Sequence, residues 1–303
     1  MTQGSEKFTV LTHCPVCAAS ELTPFKKTTF DMHTLDKDDV KITDSAYGKI
    51  WDLSRCSNCT HVFANPRPNS EYILSLYSQI EDPLYEDEAS GRAQNFKRLL
   101  GRLEKIRPQR GYLFDVGAAT GILLSLAQER GWEPDGVEPS AWAAQMAEKK
   151  YGLSLHRGDF TEIETPLDHY AAMTMVDIIE HLTHPEAALK KAHAMLSQEG
   201  ILCLVTPDIQ SLAARLFRNK WWHFRPAHLS YYSLQSLRTL LERNGFEVVK
   251  VRKYSWTFSA HYLLSRIGPL NIFLKNARLA SVWKRIPIKL ALSDSLEVYA
   301  QKR

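Results

Sequence analysis

The residues best suited to chemistry fall into three groups. The first is a set of two cysteine pairs, Cys14-Pro-Val-Cys17 and Cys56-Ser-Asn-Cys59, separated by 38 residues. A C-x-x-C pair can set two thiolates on one tight knuckle, and two knuckles together make a tetrahedral site for Zn(II). Four protein ligands leave no open position, so the expectation is one structural zinc per chain. The gap between the pairs is long, so the segment between them must fold as an excursion. No βαβ pattern surrounds either pair, which argues against a thioredoxin-like redox site. His13 and His61 adjoin the pairs and are not needed as ligands, and Cys203, alone in an apolar run, reads as core.

The second group lies in YLFDVGAATGILL, Tyr112 to Leu124. An apolar strand runs into Asp115, then a tight turn with Gly117 and Gly121, then an amphipathic helix. Glycine is needed where backbone takes a positive φ or approaches a ligand, and the helix start points free N–H groups at the turn. Glu138 ends the next strand, where an acid can accept hydrogen bonds from both hydroxyls of a ribose. Gly158-Asp159-Phe160 follow the third strand, and an Asp beside a ring suits the amino group and face of an adenine. Taken singly, these are a turn, a solvated acid, a helix cap and a core ring. Their joint order points to a nucleotide cofactor. The run G-A-A-T-G places Ala119 at the second small position and lacks the third glycine of G-x-G-x-x-G, so it suits a pyrophosphate poorly. Asp115 fits better beside a cationic group.

The third group is Asp177-Ile-Ile-Glu180-His181 and KWWHFRPAHLSYYS, Lys220 to Ser233, which holds His223 and His228. His181, with an ordinary pKa near ~6.5, can serve as a base or orient a substrate. Glu180 and His181 can equally hold their loop and line the cofactor. His228 is the second candidate base. The tryptophans and tyrosines around it suit either a lid over an apolar or ring-shaped substrate or a core.

These groups need elements to hold them. From about residue 90 to 254, apolar runs alternate with amphipathic helices, the pattern of a parallel sheet covered on both faces. Helices are expected at Gly91–Ile106, Gly121–Arg130, Ser140–Tyr151, Pro185–Leu196 and Leu234–Arg243. Strands are expected at Tyr112–Val116, Glu133–Val137, Leu153–His156, Ala171–Val176, Ile201–Val205, Phe246–Val251 and Ser295–Gln301. Asn65 to Ser70, NPRPNS, reads as a boundary, with prolines interrupting pairing and Ser70 capping a helix. The organisation expected is a zinc module over residues 1–75 and a catalytic domain over 76–303.

With those motifs in hand, the chain resembles the class I S-adenosylmethionine-dependent methyltransferases. The resemblance rests on Asp115-Val-Gly117-Ala-Ala-Thr-Gly121, Glu138, Gly158-Asp159-Phe160 and Asp177 to Pro185, DIIEHLTHP. This last run and Pro226 to Val249 look like the branch of the ubiquinone-biosynthesis O-methyltransferases and related small-molecule and sugar enzymes. The first 70 residues look like the zinc-binding segment preceding sugar C-methyltransferases. The resemblance implies a Rossmann-like, seven-stranded, mostly parallel sheet whose last strand is antiparallel, preceded by a small zinc-ribbon-like module. It implies S-adenosylmethionine held by Asp115, Gly117, Ala119, Gly121, Glu138, Asp159, Phe160 and Asp177; the placing of His181 or His228 at the acceptor rests on the residues alone. The loop after the fourth strand has no N-P-P-Y run, which argues for oxygen or carbon as the methylated atom.

Composition narrows the partners. The 303 residues carry a net charge of +4 with dispersed basic residues, which argues against a nucleic-acid partner and hence against a zinc-finger RNA methyltransferase. The intact motifs argue against a non-catalytic binding protein. A small-molecule, glycan or lipid-linked acceptor is expected. No 18-residue apolar run and no secretory signal is present, so a cytoplasmic location is expected. Residues 255–292 mix apolar, aromatic and basic residues without an acid. That suits an interfacial amphipathic helix touching the inner membrane face, a cover over a greasy substrate, or plain helix packing.

Overall fold

The computed structural model describes residues 7–41, 43, 47–266 and 277–303. Strands β1 (Phe8–Thr9), β2 (Leu22–Lys26), β3 (Leu53–Cys56), β4 (Val62–Ala64) and β5 (Arg67–Pro68) come first, then helices α1 (Ser70–Tyr77), α2 (Pro83–Asp87) and α3 (Ala89–Ile106). Next come β6 (Tyr112–Val116), α4 (Ile122–Glu129), β7 (Glu133–Glu138), α5 (Ala141–Tyr151), β8 (His156–Arg157), β9 (Tyr170–Val176), α6 (Pro185–Met195) and β10 (Leu196–Pro207). The chain continues through α7 (Leu212–Phe217), β11 (Ser230–Tyr231), α8 (Leu234–Arg243), β12 (Phe246–Ser259), α9 (Ala260–Ser265), α10 (Ala277–Arg285) and β13 (Pro287–Lys302).

Seven strands form the main sheet in the order β12-β13-β10-β9-β6-β7-β8. Strands β6 to β10 run parallel, and β13 enters antiparallel between β10 and β12. This is the Rossmann-like, mostly parallel arrangement with an antiparallel last strand. Strand alternation sorts the core onto two faces. Phe114, Met173 and Leu202 pack with Leu189 and Leu237 on one side. Leu113, Ala172 and Cys203 pack with Leu99 and Leu124 on the other. Ligands of such a sheet collect at the carboxyl ends of its parallel strands.

The amino-terminal strands form a second sheet, β11-β4-β3-β2, and a small ladder, β1-β5. Strand β11 comes from the carboxyl half of the chain, so Ser230↔Phe63 and Tyr231↔Val62 tie the two halves together. Cys14, Cys56 and Cys59 share one apolar core with Phe114 and Leu237.

Several local expectations need correction. Asn69, not Ser70, caps α1, accepting from the Tyr72 amide. The prolines after Asn65 do not end pairing, because Arg67–Pro68 pairs with Phe8–Thr9 at a sheet edge. Strand β7 forms despite Pro134. The Glu133 amide faces Gly111, so Pro134 faces away, where β8 pairs only with Val137 and Glu138. The third parallel strand is shorter and later than Leu153–His156, and the last strand is far longer than Ser295–Gln301. The stretch 255–292 is not one amphipathic helix. Trp256–Ser259 and Pro287–Leu290 extend the sheet as a ribbon, flanked by α9 and α10, and residues 267–276 lie outside the described residues. Among the described residues no helix is long and apolar enough to cross a membrane.

Candidate functional site

The turn after β6 is built by close packing. Gly117 has φ +72° and Gly121 φ +80°. A Cβ on Gly117 would lie 2.2 Å from Ile178 Cδ1, and one on Gly121 would lie 2.9 Å from the Ala147 Cβ. Ala119 itself has φ +48°, an unusual conformation for a residue with a side chain. Its amide donates to Glu138 Oε2 at 2.8 Å. Glu138 Oε1 accepts from the Ser140 amide at 2.8 Å, and Ser140 caps α5. Glu138 therefore clamps the turn after β6 to the start of α5. Asp115 is buried at the end of its strand and accepts from the Thr174 hydroxyl at 2.5 Å.

Burial pushes both acids up from the usual carboxylate range, Asp115 to about 7 and Glu138 to about 7. Asp177, with φ +53°, is raised to about 6, again chiefly by burial, and its Oδ1 has no hydrogen-bond partner. Tyr85 from α2 feels the charges of Asp115, Glu138 and Asp177, and the Arg92 guanidinium lies 3.7 Å from its ring centroid. The acids, a tyrosine and a cation thus converge on one end of the sheet. Gly158 has φ +119°, and Asp159 Oδ1 accepts from the amide and hydroxyl of Thr161. The Phe160 ring is buried, 5.9 Å from Phe114, with the Lys191 ammonium 5.5 Å from its centroid.

A second cluster sits after β9. Glu180 is almost fully buried and accepts from the Thr206 hydroxyl at 2.9 Å, while its Oε1 has no partner. Its backbone carbonyl accepts from the amides of Leu229 and Ser230, which brings the distant His228 alongside. The rings of His181 and His228 meet edge to face at 4.8 Å. His181 Nδ1 lies 2.8 Å from the Tyr77 hydroxyl, and buried His228 has an unpartnered Nδ1. Burial, followed by nearby Arg225, pushes His181 down to about 3; burial and its neighbouring histidine push His228 well below its usual value. Both imidazoles are neutral near pH 7. Burial drives the Glu180 carboxyl well up. Donor atoms of Glu180, His181 and His228 lie within 4.8 Å of one another, close enough to hold a metal ion. His223 instead pairs with Asp294 at 3.3 Å. Trp221, Tyr231 and Tyr232 are core rather than lid.

The cysteines form two equivalent knuckles. The amides of Cys14 and Cys56 donate to the carbonyls of Ala19 and His61, and those of Ala18 and Thr60 donate back to the carbonyls of Cys14 and Cys56. Ala18 and Thr60 have φ +61° and +62°. Sulfur atoms of Cys14 and Cys59 are 3.6 Å apart, those of Cys17 and Cys56 3.5 Å, with no disulfide. All four lie within 4.8 Å of one another, which fits a tetrathiolate site.

Sequence reasoning missed the partners of these residues: Thr174, Thr206, Tyr77 and Ile178. Isolated hydroxyl and apolar residues carry no spacing signal, and only the fold brings them to their acids and turn.

A family model described as a methyltransferase domain matches residues 89–251, more than half of the chain. The chain belongs to this methyltransferase family. An uncharacterized methyltransferase of Oceanobacillus iheyensis is 24% identical over 60% of this chain and 93% of its own length. A ubiquinone biosynthesis O-methyltransferase of Rhodopseudomonas palustris is 26% identical over 40% of this chain and 47% of its own length. The C-methyltransferase NovU of Streptomyces niveus is 28% identical over 45% of this chain and 33% of its own length. The chain thus spans less than half of these last two relatives.

Proposed function

We propose that the enzyme transfers the methyl group of S-adenosylmethionine to an oxygen or carbon of a small-molecule, glycan or lipid-linked acceptor. The site would lie at the carboxyl ends of β6, β7, β9 and β10. The observation that carries this reading is the convergence there of buried acids and unpartnered polar atoms: Asp177 Oδ1, Glu180 Oε1 and His228 Nδ1. Buried polar atoms without partners are costly, and a ligand that satisfies them accounts for their retention.

In this reading Gly117, Ala119 and Gly121 let the backbone approach the cofactor. Glu138 keeps a lone pair on each oxygen for the ribose hydroxyls, and Asp159 takes the adenine amino group with Phe160 packed behind it. Asp115 and Asp177 face the cationic amino acid end, with Arg92 near its carboxylate. The cofactor supplies a methyl carbon already activated by its sulfonium. The protein contributes alignment and a proton acceptor. His181 and His228, both neutral, would be placed to take the proton that the acceptor loses. Glu180, held toward its neutral form by burial, would contribute hydrogen bonding beside the histidines rather than charge. A second reading uses the same three donors: a divalent cation on Glu180, His181 and His228 would hold an acceptor hydroxyl. Metal-dependent turnover lost in His228→Ala, with cofactor affinity unchanged, would support it.

The four cysteines would hold one structural zinc in a module over residues 1–75, with residues 76–303 as the catalytic domain. The module's chain reaches the catalytic loop: Arg67 donates to the Thr183 carbonyl at 2.6 Å, and Ser70 and Thr183 hydroxyls are 2.6 Å apart. These contacts support a role as one wall of the acceptor site. The test of the cofactor reading is calorimetric titration with S-adenosylhomocysteine, with NAD as control. Binding of the first alone is expected; binding of neither would sink it.

A further inference from the structure

Strands β12 and β13 pair well past the rest of the sheet. Pro207 at the end of β10 lies opposite Ser295, yet the pairs Trp256–Leu290, Thr257–Lys289, Phe258–Ile288 and Ser259–Pro287 continue beyond it. The ribbon therefore rises past the carboxyl end of β10, the end of the sheet that carries the candidate site. It is held firmly there. Asn95 donates to the Thr257 carbonyl at 3.1 Å and accepts its amide at 2.7 Å. Glu88 accepts the amide and hydroxyl of Ser259.

What this rigid ribbon presents is apolar and basic. Alternation sets Ile288 and Leu290 on one face, and Leu292 is exposed in the irregular stretch that follows, between the Trp256–Leu290 and Tyr254–Ser295 pairs. Ile288 is 37% exposed and Leu292 46%, and Val282 on α10 is 54% exposed. Helix α7 begins five residues after β10 ends and packs against β13. Its Leu212 and Leu216, one turn apart, are each 69% exposed. The charged residues of 212–220 are Arg215, Arg218 and Lys220, and those of 280–293 are Lys284, Arg285 and Lys289, with no acid in either stretch. Lys284 pairs with Asp87. Leucines held in water beside cations of one sign match the headgroup layer of an anionic bilayer, which takes apolar side chains a few ångströms deep and draws cations to its phosphates.

We propose that this surface docks the enzyme on an anionic phospholipid bilayer, with Leu212, Leu216, Ile288 and Leu292 entering the headgroup layer. The site's end of the sheet then lies against the membrane, so the acceptor is membrane-embedded or lipid-anchored; this second statement rests on the methyl-transfer reading, and the docking does not. The test is sedimentation of the full chain with vesicles of phosphatidylglycerol and phosphatidylcholine, against phosphatidylcholine alone. Binding to the anionic vesicles is expected, at least about tenfold tighter than to neutral ones, and weaker at high salt. The double variant Leu216→Ser, Leu292→Ser should lose about tenfold or more. Lys289→Glu, an exposed charge reversal that leaves the core alone, should lose about fivefold or more. S-adenosylhomocysteine affinity, unchanged in both variants, shows that they fold. Absence of vesicle binding, variants that bind like wild type, or a dimer that hides this surface would each overturn docking. Failure of wild type to bind S-adenosylhomocysteine while still sedimenting would overturn the methyl-transfer reading alone.

Discussion

The cysteine centre and the Glu180–His181–His228 cluster both gather three or four donor atoms within 4.8 Å, yet they are built in opposite ways. Each cysteine knuckle is local: two ligands three residues apart, closed by its own backbone hydrogen bonds. The four sulfurs leave no open position, and the centre is packed into apolar core. The second cluster joins a loop after β9 to a segment nearly 50 residues away, and it leaves Glu180 Oε1 and His228 Nδ1 unpartnered. A closed donor set stabilises, whereas one with unpartnered donor atoms can take up a ligand. The difference fits the proposed roles, a structural centre for the first and a reacting site for the second.

The largest expected effect tests the closed centre. Protein purified without chelator should carry one zinc, and stripping it should remove on the order of 10 kcal/mol of folding free energy from the module. Because Cys14, Cys56 and Cys59 share core with Phe114 and Leu237, the loss should appear as a lower melting temperature of the whole chain. Metal analysis followed by calorimetry checks this. A metal-free protein that melts at the same temperature would refute the centre's structural role.

Next in size is the acid that clamps the turn after β6. Glu138→Ala should weaken S-adenosylhomocysteine binding about tenfold or more, through lost charge-assisted bonds and two orphaned buried amides, those of Ala119 and Ser140. Calorimetric affinity equal to wild type would remove Glu138 from the site.

These two regions also differ in how far the sequence disclosed them. The knuckles follow from C-x-x-C spacing alone, and both adopt the same backbone geometry. The turn after β6 was legible because Gly117 and Gly121 sit between an apolar strand and a helix, and both take the positive φ expected. The parallel sheet followed from alternating apolar runs and helices, and its antiparallel last strand only from the family resemblance. The open cluster was only half legible. His181 and His228 could be singled out by residue type, but their meeting depends on the Leu229 and Ser230 amides reaching the Glu180 carbonyl. The ribbon was missed for a similar reason: Trp256–Ser259 and Pro287–Leu290 have strand periodicity only once paired, and their mixed composition read as helical.

A smaller effect comes from pH. Burial raises Asp115, Glu138 and Asp177 above the unfolded carboxylate range, so between about pH 4 and about pH 7 the folded, ligand-free protein holds more protons than the unfolded chain. Its stability from these groups is greatest at low pH and falls as pH rises through that window. A cationic ligand prefers the ionised acids, so S-adenosylmethionine affinity should rise over the same window and level off above about pH 7. Titrations at about pH 5.5 and about pH 7.5 giving equal affinity would show that these acids do not face the cation.

The smallest effect returns to the open cluster. Tyr77, at the end of α1, touches His181 Nδ1 at 2.8 Å, and with the Ala227 backbone, which also hydrogen-bonds the ring, it sets which nitrogen carries the proton. Tyr77→Phe should cost about 1 kcal/mol of stability or less, since one hydrogen bond with a neutral ring is lost. The informative readout is the His181 nitrogen chemical shifts, which should change from one dominant tautomer to a mixture while cofactor affinity stays within about twofold. If the shifts stay put, the tautomer is set by the buried surroundings alone. The module-side helix would then only wall the cleft, and the open cluster would take its orientation wholly from the loops after β9 and β10.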